Sequence, residues 1–179
     1  MSSDRHIRNL ALIGFMGAGK SSVGRLVADR LHFHFVDTDE LIESEAGRSI
    51  SRIFAEDGEP AFRTHERHVV EHLQKANRTV IATGGGLPAN EANLAALKTH
   101  CLVVYLWASA RRIWERVRSQ EHRPLLKDPD PQAKIQRLLA EREPFYRQAD
   151  VLVNTELRSI TEVAQHIVHE FRAAVSPRR

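Results

Sequence analysis

The segment from Gly14 to Ser21 has the residue types and spacing of a loop that binds phosphate groups. Its sequence, Gly-Phe-Met-Gly-Ala-Gly-Lys-Ser, fits the pattern G-x-x-x-x-G-K-[ST]. Glycines allow backbone N–H groups to turn towards an anion, and the N-terminus of a following helix adds partial positive charge. In such a loop Lys20 reaches the β- and γ-phosphates of a nucleoside triphosphate, and the Ser21 hydroxyl binds Mg²⁺. The pattern predicts a nucleoside triphosphate site, against the alternative of a glycine-rich turn that binds nothing.

Two carboxylates follow the apolar segment 33–36. Asp37 and Asp39 are expected at the carboxyl end of a strand, close to the phosphate-binding segment. Since Mg²⁺ keeps several of its waters, Asp37 is expected to hold it through water, and Asp39 to face the hydroxyl of a phosphoryl acceptor. The alternative is that both aspartates only cap a helix or form a turn.

Arg63 and Arg142 are candidates for binding an anionic substrate, because a guanidinium matches the geometry of a carboxylate. Each could equally be a solvated or ion-paired surface arginine, and only their convergence in space would decide between these interpretations. The run Gly84–Gly86 follows the apolar segment 79–82, and consecutive glycines let the backbone approach a ligand closely. The alternative for this run is a loose connection between a strand and a helix.

Five apolar segments must position these residues: 10–13, 33–36, 79–82, 101–107 and 151–153. Helical patterns separate them, and this alternation predicts an α/β fold with a five-stranded parallel sheet between two layers of helices. The last helix is marked by Ser159 and Glu162, which have the spacing of a capping box. Ligands are expected at the carboxyl ends of the strands.

Two segments are predicted to be insertions in a single domain that covers residues 1–179. The first, about 37–77, is helical with a break at 58–60. The second, about 116–131, combines charged residues with three prolines and is expected to be a mobile lid. Pro144 is expected to kink or end the helix that carries Arg142.

Composition limits the function classes. The net charge is +3, but the 26 basic residues are spread among 23 acidic ones, so no basic stripe for nucleic acid is expected. The lone Cys101 is expected in the core, and no apolar run is long enough to span a bilayer. His65, His68 and His72 share a helical face, but the neighbouring Glu66, Arg67 and Glu71 predict a solvated face there rather than a metal site. The expectation is a cytoplasmic monomer without nucleic-acid or membrane partners.

In order and approximate spacing, these motifs resemble those of the shikimate kinases, a family of small-molecule kinases with a nucleoside monophosphate kinase-like fold. The resemblance rests on the phosphate-binding segment, Asp37-x-Asp39, Phe62-Arg63, Gly84–Gly86, and further segments that are Ser49-Ile50 to Ile53-Phe54, Gly58-Glu59, Arg123-Pro124-Leu125-Leu126 and Arg142 near Tyr146. It implies transfer of a phosphoryl group from ATP to the 3-hydroxyl of shikimate.

The resemblance also implies roles for individual residues. Shikimate would be bound by Asp39, Arg63, Gly85 and Arg142, with Phe54 and Phe62 along its apolar side. The triphosphate would be bound by Gly17, Ala18, Gly19, Lys20, Ser21 and Ser22. Mg²⁺ would be bound by Ser21 directly and by Asp37 through water. Arg123 would close over the phosphates from the lid, Arg116 would lie against adenine, and Arg158 near it. Lys20, Asp39 and Arg123 would be the catalytic residues.

Two alternatives stay open at this point. One is another small-molecule kinase of the same fold, acting on gluconate or a nucleotide; the arginine pair counts against it, because a neutral or nucleotide acceptor would not need two arginines that face a carboxylate. The other is a nucleotide-binding module that has lost catalysis, against which the presence of Lys20, Asp37, Asp39 and the arginines counts.

Overall fold

Five parallel strands form the centre of the molecule. The computed structural model describes residues 5–119 and 128–176, and its strands are β1 (Asn9–Ile13), β2 (His34–Asp37), β3 (Thr79–Ala82), β4 (Cys101–Trp107) and β5 (Val151–Asn154). Their order in the sheet is β2-β3-β1-β4-β5, and all neighbouring pairs are parallel. The predicted five-stranded parallel sheet is therefore confirmed, with strand ends that differ from the apolar segments by about one residue.

Helices cover both faces of this sheet, because alternate residues of each buried strand point to opposite sides. Leu10 and Leu12 of β1 belong to one core cluster, whereas Ala11 and Ile13 belong to the other. Cys101 is fully buried, as predicted. The helices are α1 (Lys20–Leu31), α2 (Thr38–Ala46), α3 (Ile50–Glu56), α4 (Gly58–Leu73), α5 (Glu91–His100), α6 (Ala110–Val117), α7 (Pro131–Tyr146) and α8 (Ile160–Val175), with a 3₁₀ turn at Leu87–Ala89.

The strand order places the candidate site residues at one edge of the sheet. The chain leaves β1 towards β2 on one side, whereas β4 and β5 lie on the other side of β1. A crevice is expected where the order reverses in this way. The carboxyl ends of β1, β2 and β3 lead directly into Gly14, Thr38 and Thr83, so the predicted phosphate and acceptor residues begin at the same edge.

The first predicted insertion consists of α2, α3 and α4. The predicted break at 58–60 lies near the start of α4, where Gly58 has a φ of 81°. Pro60 is accommodated in the first turn of α4, where a missing backbone N–H costs nothing. In α7, the helix continues through Pro144 and ends two residues later at Tyr146.

The second predicted insertion is shorter than expected at its start. Arg116 lies in the last turn of α6, and not in a loop, because Ile113 and Val117 of the same helix are buried in the core. Arg123 and half of the predicted lid, residues 120–127, lie outside the described residues. Within the described ranges, no helix combines the length and apolar character that crossing a bilayer requires.

Candidate active site

The phosphate loop, Gly14–Ser21, connects β1 to the N-terminus of α1. Gly17 and Gly19 have φ angles of 76° and 97°, a region that side chains other than glycine rarely adopt. Lys20 is the first residue of α1 and is buried. Its Nζ atom donates hydrogen bonds to the carbonyls of Gly14 and Phe15, at 2.9 and 3.0 Å, which holds the ammonium group against the loop.

Asp37 links the phosphate loop to the first helix of the insertion. Its Oδ2 atom accepts a hydrogen bond of 2.7 Å from the Ser21 hydroxyl. Its Oδ1 atom accepts one of 3.0 Å from the backbone N–H of Asp39, so Asp37 is also the N-cap of α2. The capping alternative for Asp37 is thus realised through one oxygen, while its other oxygen lies beside the Ser21 hydroxyl. A hydroxyl and a carboxylate side by side are hard oxygen ligands of the kind that Mg²⁺ takes.

Asp39 lies directly against the glycine turn, Gly84–Gly86. A β-carbon built at Gly84 would be 2.5 Å from Asp39 Oδ1, closer than two such atoms can approach. The N–H of Gly84 donates to the Thr38 hydroxyl at 2.8 Å, which fixes the turn against the start of α2. Glycine at position 84 is therefore required by the close approach of the Asp39 carboxylate.

Arg63 projects from α4 towards the same turn. A β-carbon built at Gly86 would lie 2.8 Å from Arg63 Nη1. The guanidinium pairs with Glu66 at 2.8 Å and with Glu59 at 2.7 Å. Although burial lowers the pKa of Arg63, these two carboxylates raise it by more, so the arginine stays charged.

Glu66 alone departs from the solvated helix face that the sequence predicts around the histidines, since Arg67, His68, Glu71 and His72 are exposed. Its side chain is only 1% exposed, because it lies on the face of α4 that carries Arg63 towards the cleft. Burial raises the pKa of the Glu66 carboxyl, while the charges of Arg63 and Arg142 oppose this rise. The negative charge of Asp39 raises the pKa of the Glu66 carboxyl further. The part of the chain that the structure describes contains no cluster of three potential metal-ligating residues of the His, Cys, Asp or Glu type.

Arg142 reaches the glycine turn from α7, on the other side. Its Nη1 atom lies 3.6 Å from the position of a β-carbon at Gly85. Its guanidinium carbon is 5.5 Å from the centre of the Phe15 ring, a distance at which a cation and an aromatic face attract each other. Arg63 and Arg142 therefore converge on adjacent residues of one turn. The sequence left this convergence open, and the interpretation of the two arginines as an anion-binding pair depends on it.

One open cleft of about 1130 Å³ joins these groups. The phosphate loop lines one part of it, and the insertion, the glycine turn and α7 line the rest. Phe54 and Phe62 stack beside it with ring centres 4.8 Å apart. The predicted residues that line it are Gly17, Gly19, Lys20, Ser21, Ser22, Asp37, Asp39, Arg63, Gly85, Arg116 and Arg142.

A smaller cleft of about 190 Å³ adjoins the outer side of the phosphate loop. It brings Ala18, Arg116 and Arg158 together with Thr155. Arg116 donates to the Thr155 carbonyl at 2.7 Å and to the Gly17 carbonyl at 3.3 Å, so it bridges the phosphate loop and the segment after β5. The two arginines that were expected near adenine thus lie beside the loop that is expected to bind phosphate.

Three contacts in this site were not predicted. Glu66 pairs with Arg63, Thr38 holds Gly84, and the Tyr146 hydroxyl donates to the Gly85 carbonyl at 2.5 Å. Two of these contacts had a signal in the sequence. The spacings Arg63-x-x-Glu66 and Arg142-x-x-x-Tyr146 place each pair on one helical face. Nothing in the sequence around Thr38 indicated its partner.

Comparisons with known proteins agree with this geometry. A family model described as shikimate kinase matches residues 16–172. The chain is 43% identical to a shikimate kinase of Thermodesulfovibrio yellowstonii, over 92% of this chain and 95% of that protein. It is 49% identical to one of Nitrobacter winogradskyi, over 82% and 68% respectively. Among solved structures, the shikimate kinase of Acinetobacter baumannii in complex with shikimate matches with a TM-score of 0.89 and 36% identity, over 94% of both chains.

Proposed function

The chain belongs to the shikimate kinase family, and we propose from this membership how its residues divide the reaction among them. The protein is an enzyme that uses ATP to phosphorylate the 3-hydroxyl of shikimate, giving shikimate 3-phosphate and ADP. One observation supports the division of roles: the phosphate loop and the arginine pair line the same cleft, so that a phosphoryl donor and an anionic acceptor can meet there.

The donor half consists of the phosphate loop and the first turn of α1. The residues proposed to bind the triphosphate are Gly17, Ala18, Gly19, Lys20, Ser21 and Ser22, through backbone N–H groups, the helix N-terminus, the hydroxyls and the ammonium of Lys20. Arg116 and Arg158 would flank the adenine, because both line the smaller cleft beside this loop. Arg123, outside the described residues, is proposed from the resemblance alone to close over the phosphates.

Ser21 and Asp37 are proposed to hold Mg²⁺, Ser21 directly and Asp37 through water. Their oxygens lie 2.7 Å apart next to the phosphate loop, which suits an ion that takes few protein ligands and shares the phosphates of its nucleotide. When bound, Mg²⁺ supplies positive charge that neutralises the phosphate oxygens. Asp37 would keep its role as the N-cap of α2 through its other oxygen.

The acceptor half consists of Asp39, Arg63, Gly85 and Arg142. The two arginines would bind the carboxylate of shikimate, which suits their convergence on the glycine turn. Asp39 would bind a ring hydroxyl and orient the attacking oxygen, and its carboxylate can accept the proton that leaves. Since phosphoryl transfer depends mainly on positioning and charge neutralisation, Lys20 and Arg123 would stabilise the transferring group.

An ADP-release assay tests this assignment against the alternatives. ATP with shikimate should give turnover, whereas gluconate and nucleoside monophosphates should give none. Nucleoside monophosphates have no carboxylate for the two arginines, and gluconate is an open-chain acid whose hydroxyls are not held by a ring in a fixed position beside Asp39. The two alternatives, a gluconate kinase and a non-catalytic module, have less support, because the relatives above are shikimate kinases. Turnover with gluconate at a higher kcat/KM than with shikimate would refute the assignment.

Arg142→Met tests the acceptor half separately. Loss of a charge-assisted contact should raise the KM for shikimate at least about 10-fold, and should leave the KM for ATP nearly unchanged. Arg137→Met is the matched control, because Arg137 lies on the same helix with a side chain that is 67% exposed. Equal effects of the two substitutions would contradict the proposed contact.

We also propose that the enzyme works as a cytoplasmic monomer without nucleic-acid or membrane partners. Both substrates are small molecules, and the phosphate loop and the arginine pair of one chain line the same cleft. ATP, the co-substrate, is a cytoplasmic metabolite. Light scattering should give a mass near 20.3 kDa, and twice that value would refute the monomer.

A further inference from the structure

Tyr146 connects two parts of the acceptor half that lie on different elements. It is the last residue of α7 and its side chain is fully buried. Its hydroxyl crosses to the segment after β3 and donates a hydrogen bond of 2.5 Å to the carbonyl of Gly85. This hydrogen bond therefore constrains the orientation of the Gly85 carbonyl in the glycine turn.

The bond to Tyr146 completes the hydrogen bonding of the glycine turn. The carbonyl of Gly84 accepts from the N–H of Leu87, and that of Gly86 accepts from the N–H of Ala89. The carbonyl between them, on Gly85, accepts from Tyr146. Because a peptide unit is planar, fixing the Gly85 carbonyl also fixes the direction of the following N–H group. Tyr146 therefore determines the direction of one peptide plane in the wall of the cleft.

The same hydroxyl lies next to the Arg142 guanidinium, whose Nη1 atom is 3.6 Å from the β-carbon position of Gly85. The two residues are four positions apart on α7, so their side chains lie on one face of the helix. Burial raises the pKa of the Tyr146 hydroxyl to about 12, against the opposing charge and hydrogen bond of the Arg142 guanidinium. A phenol oxygen can donate one hydrogen bond and accept another, so it serves the Gly85 carbonyl and the guanidinium together.

We propose that Tyr146 is a positioning residue for shikimate, which holds Gly85 and Arg142 in a fixed relation through one hydroxyl group. This inference rests on the proposed roles of Gly85 and Arg142 in binding the substrate. Phe15 of the phosphate loop also packs against this guanidinium. Without the hydroxyl, the Gly85 carbonyl and the arginine would lose the group that they share, and shikimate would have to order them on binding.

Tyr105 provides a matched control. The chain contains two tyrosines, and their ring centres are 5.1 Å apart. Tyr105 is equally buried, but its hydroxyl has no hydrogen-bond partner among the described residues. Removing this hydroxyl changes the same kind of side chain in the same cluster without removing a bond.

The test compares Tyr146→Phe with Tyr105→Phe in steady-state kinetics. Tyr146→Phe is expected to raise the KM for shikimate about 10-fold, the effect of losing hydrogen bonds of ordinary strength, with the KM for ATP within about twofold of wild type. Tyr105→Phe should leave both constants within about twofold. A shikimate KM that stays within twofold in Tyr146→Phe, or equal rises of both KM values, would overturn the inference.

A spectroscopic measurement keeps the inference testable without the Tyr146 variant. In Tyr105→Phe protein grown with 3-fluorotyrosine, the fluorine resonance reports on Tyr146 alone. Shikimate should shift this resonance with the concentration dependence of its binding, and the absence of a shift at saturating shikimate would refute the role. Failure of the wild-type enzyme to phosphorylate shikimate would instead refute the proposed function.

Discussion

Glu66 is a carboxylate inside a cleft that must also accept an anion. Its partner Arg63 donates from Nη1 to Glu66 and from Nε and Nη2 to Glu59, so two of the five N–H donors of the guanidinium are left for a substrate. A planar guanidinium with several donors can serve two carboxylates at once. Glu66 therefore fixes the orientation of the arginine. Because the Glu66 carboxyl is buried, its pKa is raised.

Glu66→Gln should remove a pH dependence of stability. Between the ordinary pKa of 4.5 and its raised value, the folded chain keeps a proton on Glu66 that the unfolded chain has released. The free energy of unfolding of the wild type should therefore fall as pH rises through this window. Glutamine does not titrate, so the stability of the variant relative to wild type should increase with pH, as measured by urea unfolding.

Glu59→Gln is the control for this experiment. It removes another carboxylate that pairs with Arg63, but one whose side chain is 62% exposed, so burial contributes little to its effect. A stability difference between Glu66→Gln and wild type that stays constant from pH 4.5 upwards would show that the Glu66 carboxyl is not shifted.

Gly84→Ala should displace Asp39. The added methyl group would meet Asp39 Oδ1 at 2.5 Å, and one of the two must move. We expect kcat/KM for shikimate to fall at least about 10-fold, because Asp39 is proposed to orient the attacking hydroxyl. The KM for ATP should change little.

Gly47→Ala separates this effect from a loss of stability. Gly47 has a φ of 64° with no atom near a built β-carbon, so alanine there costs about 1 kcal/mol through backbone strain alone. Its kcat/KM should stay near wild type. A similar loss of activity in both variants would contradict a specific contact between Gly84 and Asp39.

At the scale of elements, β1 leads into the phosphate loop at its carboxyl end. At its other end, the side chain of Asn9 sets the alignment of β1 with β3. Asn9 is fully buried. Its amide accepts from the N–H of Thr79 at 3.0 Å and donates to the carbonyl of Ala76 at 2.8 Å. These bonds connect the starts of β1 and β3, whose other ends lead into the phosphate loop and the glycine turn.

Asn9→Ala should destabilise the protein by about 2 to 3 kcal/mol, because it leaves a buried backbone N–H without its acceptor. Asn77→Ala, at an exposed position nearby, should cost less than about 0.5 kcal/mol. Urea unfolding followed by circular dichroism measures both. A cost below about 1 kcal/mol for Asn9→Ala would mean that water or a rearranged backbone replaces the lost bond.

The α7 helix carries two side chains that reach the glycine turn. Its residues Arg142 and Tyr146 both reach the glycine turn, because they are four positions apart on the same face. Pro144 lies between them near the end of the helix, where the loss of one backbone bond affects only the last turn. The helix therefore delivers both side chains despite the proline.

At the scale of the whole molecule, the substrates should stabilise the fold by binding across it. The cleft is lined by the phosphate loop, the insertion, the glycine turn and residues of α6 and α7, and an unfolded chain does not bring these together. Shikimate at about 100 times its Kd should add about 2.7 kcal/mol to the free energy of unfolding, or about 5 to 10 °C in Tm.

Gluconate at the same concentration is the control and should leave the Tm unchanged. In Arg142→Met the stabilisation by shikimate should shrink, whereas that by ATP should persist, because ATP is proposed to bind the phosphate loop. Loss of both stabilisations in this variant would mean that Arg142 supports the fold rather than the acceptor site.

The sequence by itself determined the parts of this protein whose chemistry is local. The phosphate loop, the five strands and the final helix each follow from spacing over a few residues, and the family follows from the order of the motifs. Tertiary structure alone decided whether Arg63 and Arg142 meet, that Glu66 is buried, and that Thr38 and Tyr146 hold the glycine turn. These contacts join residues from different elements, and the distance between two elements depends on how the sheet and its helices pack.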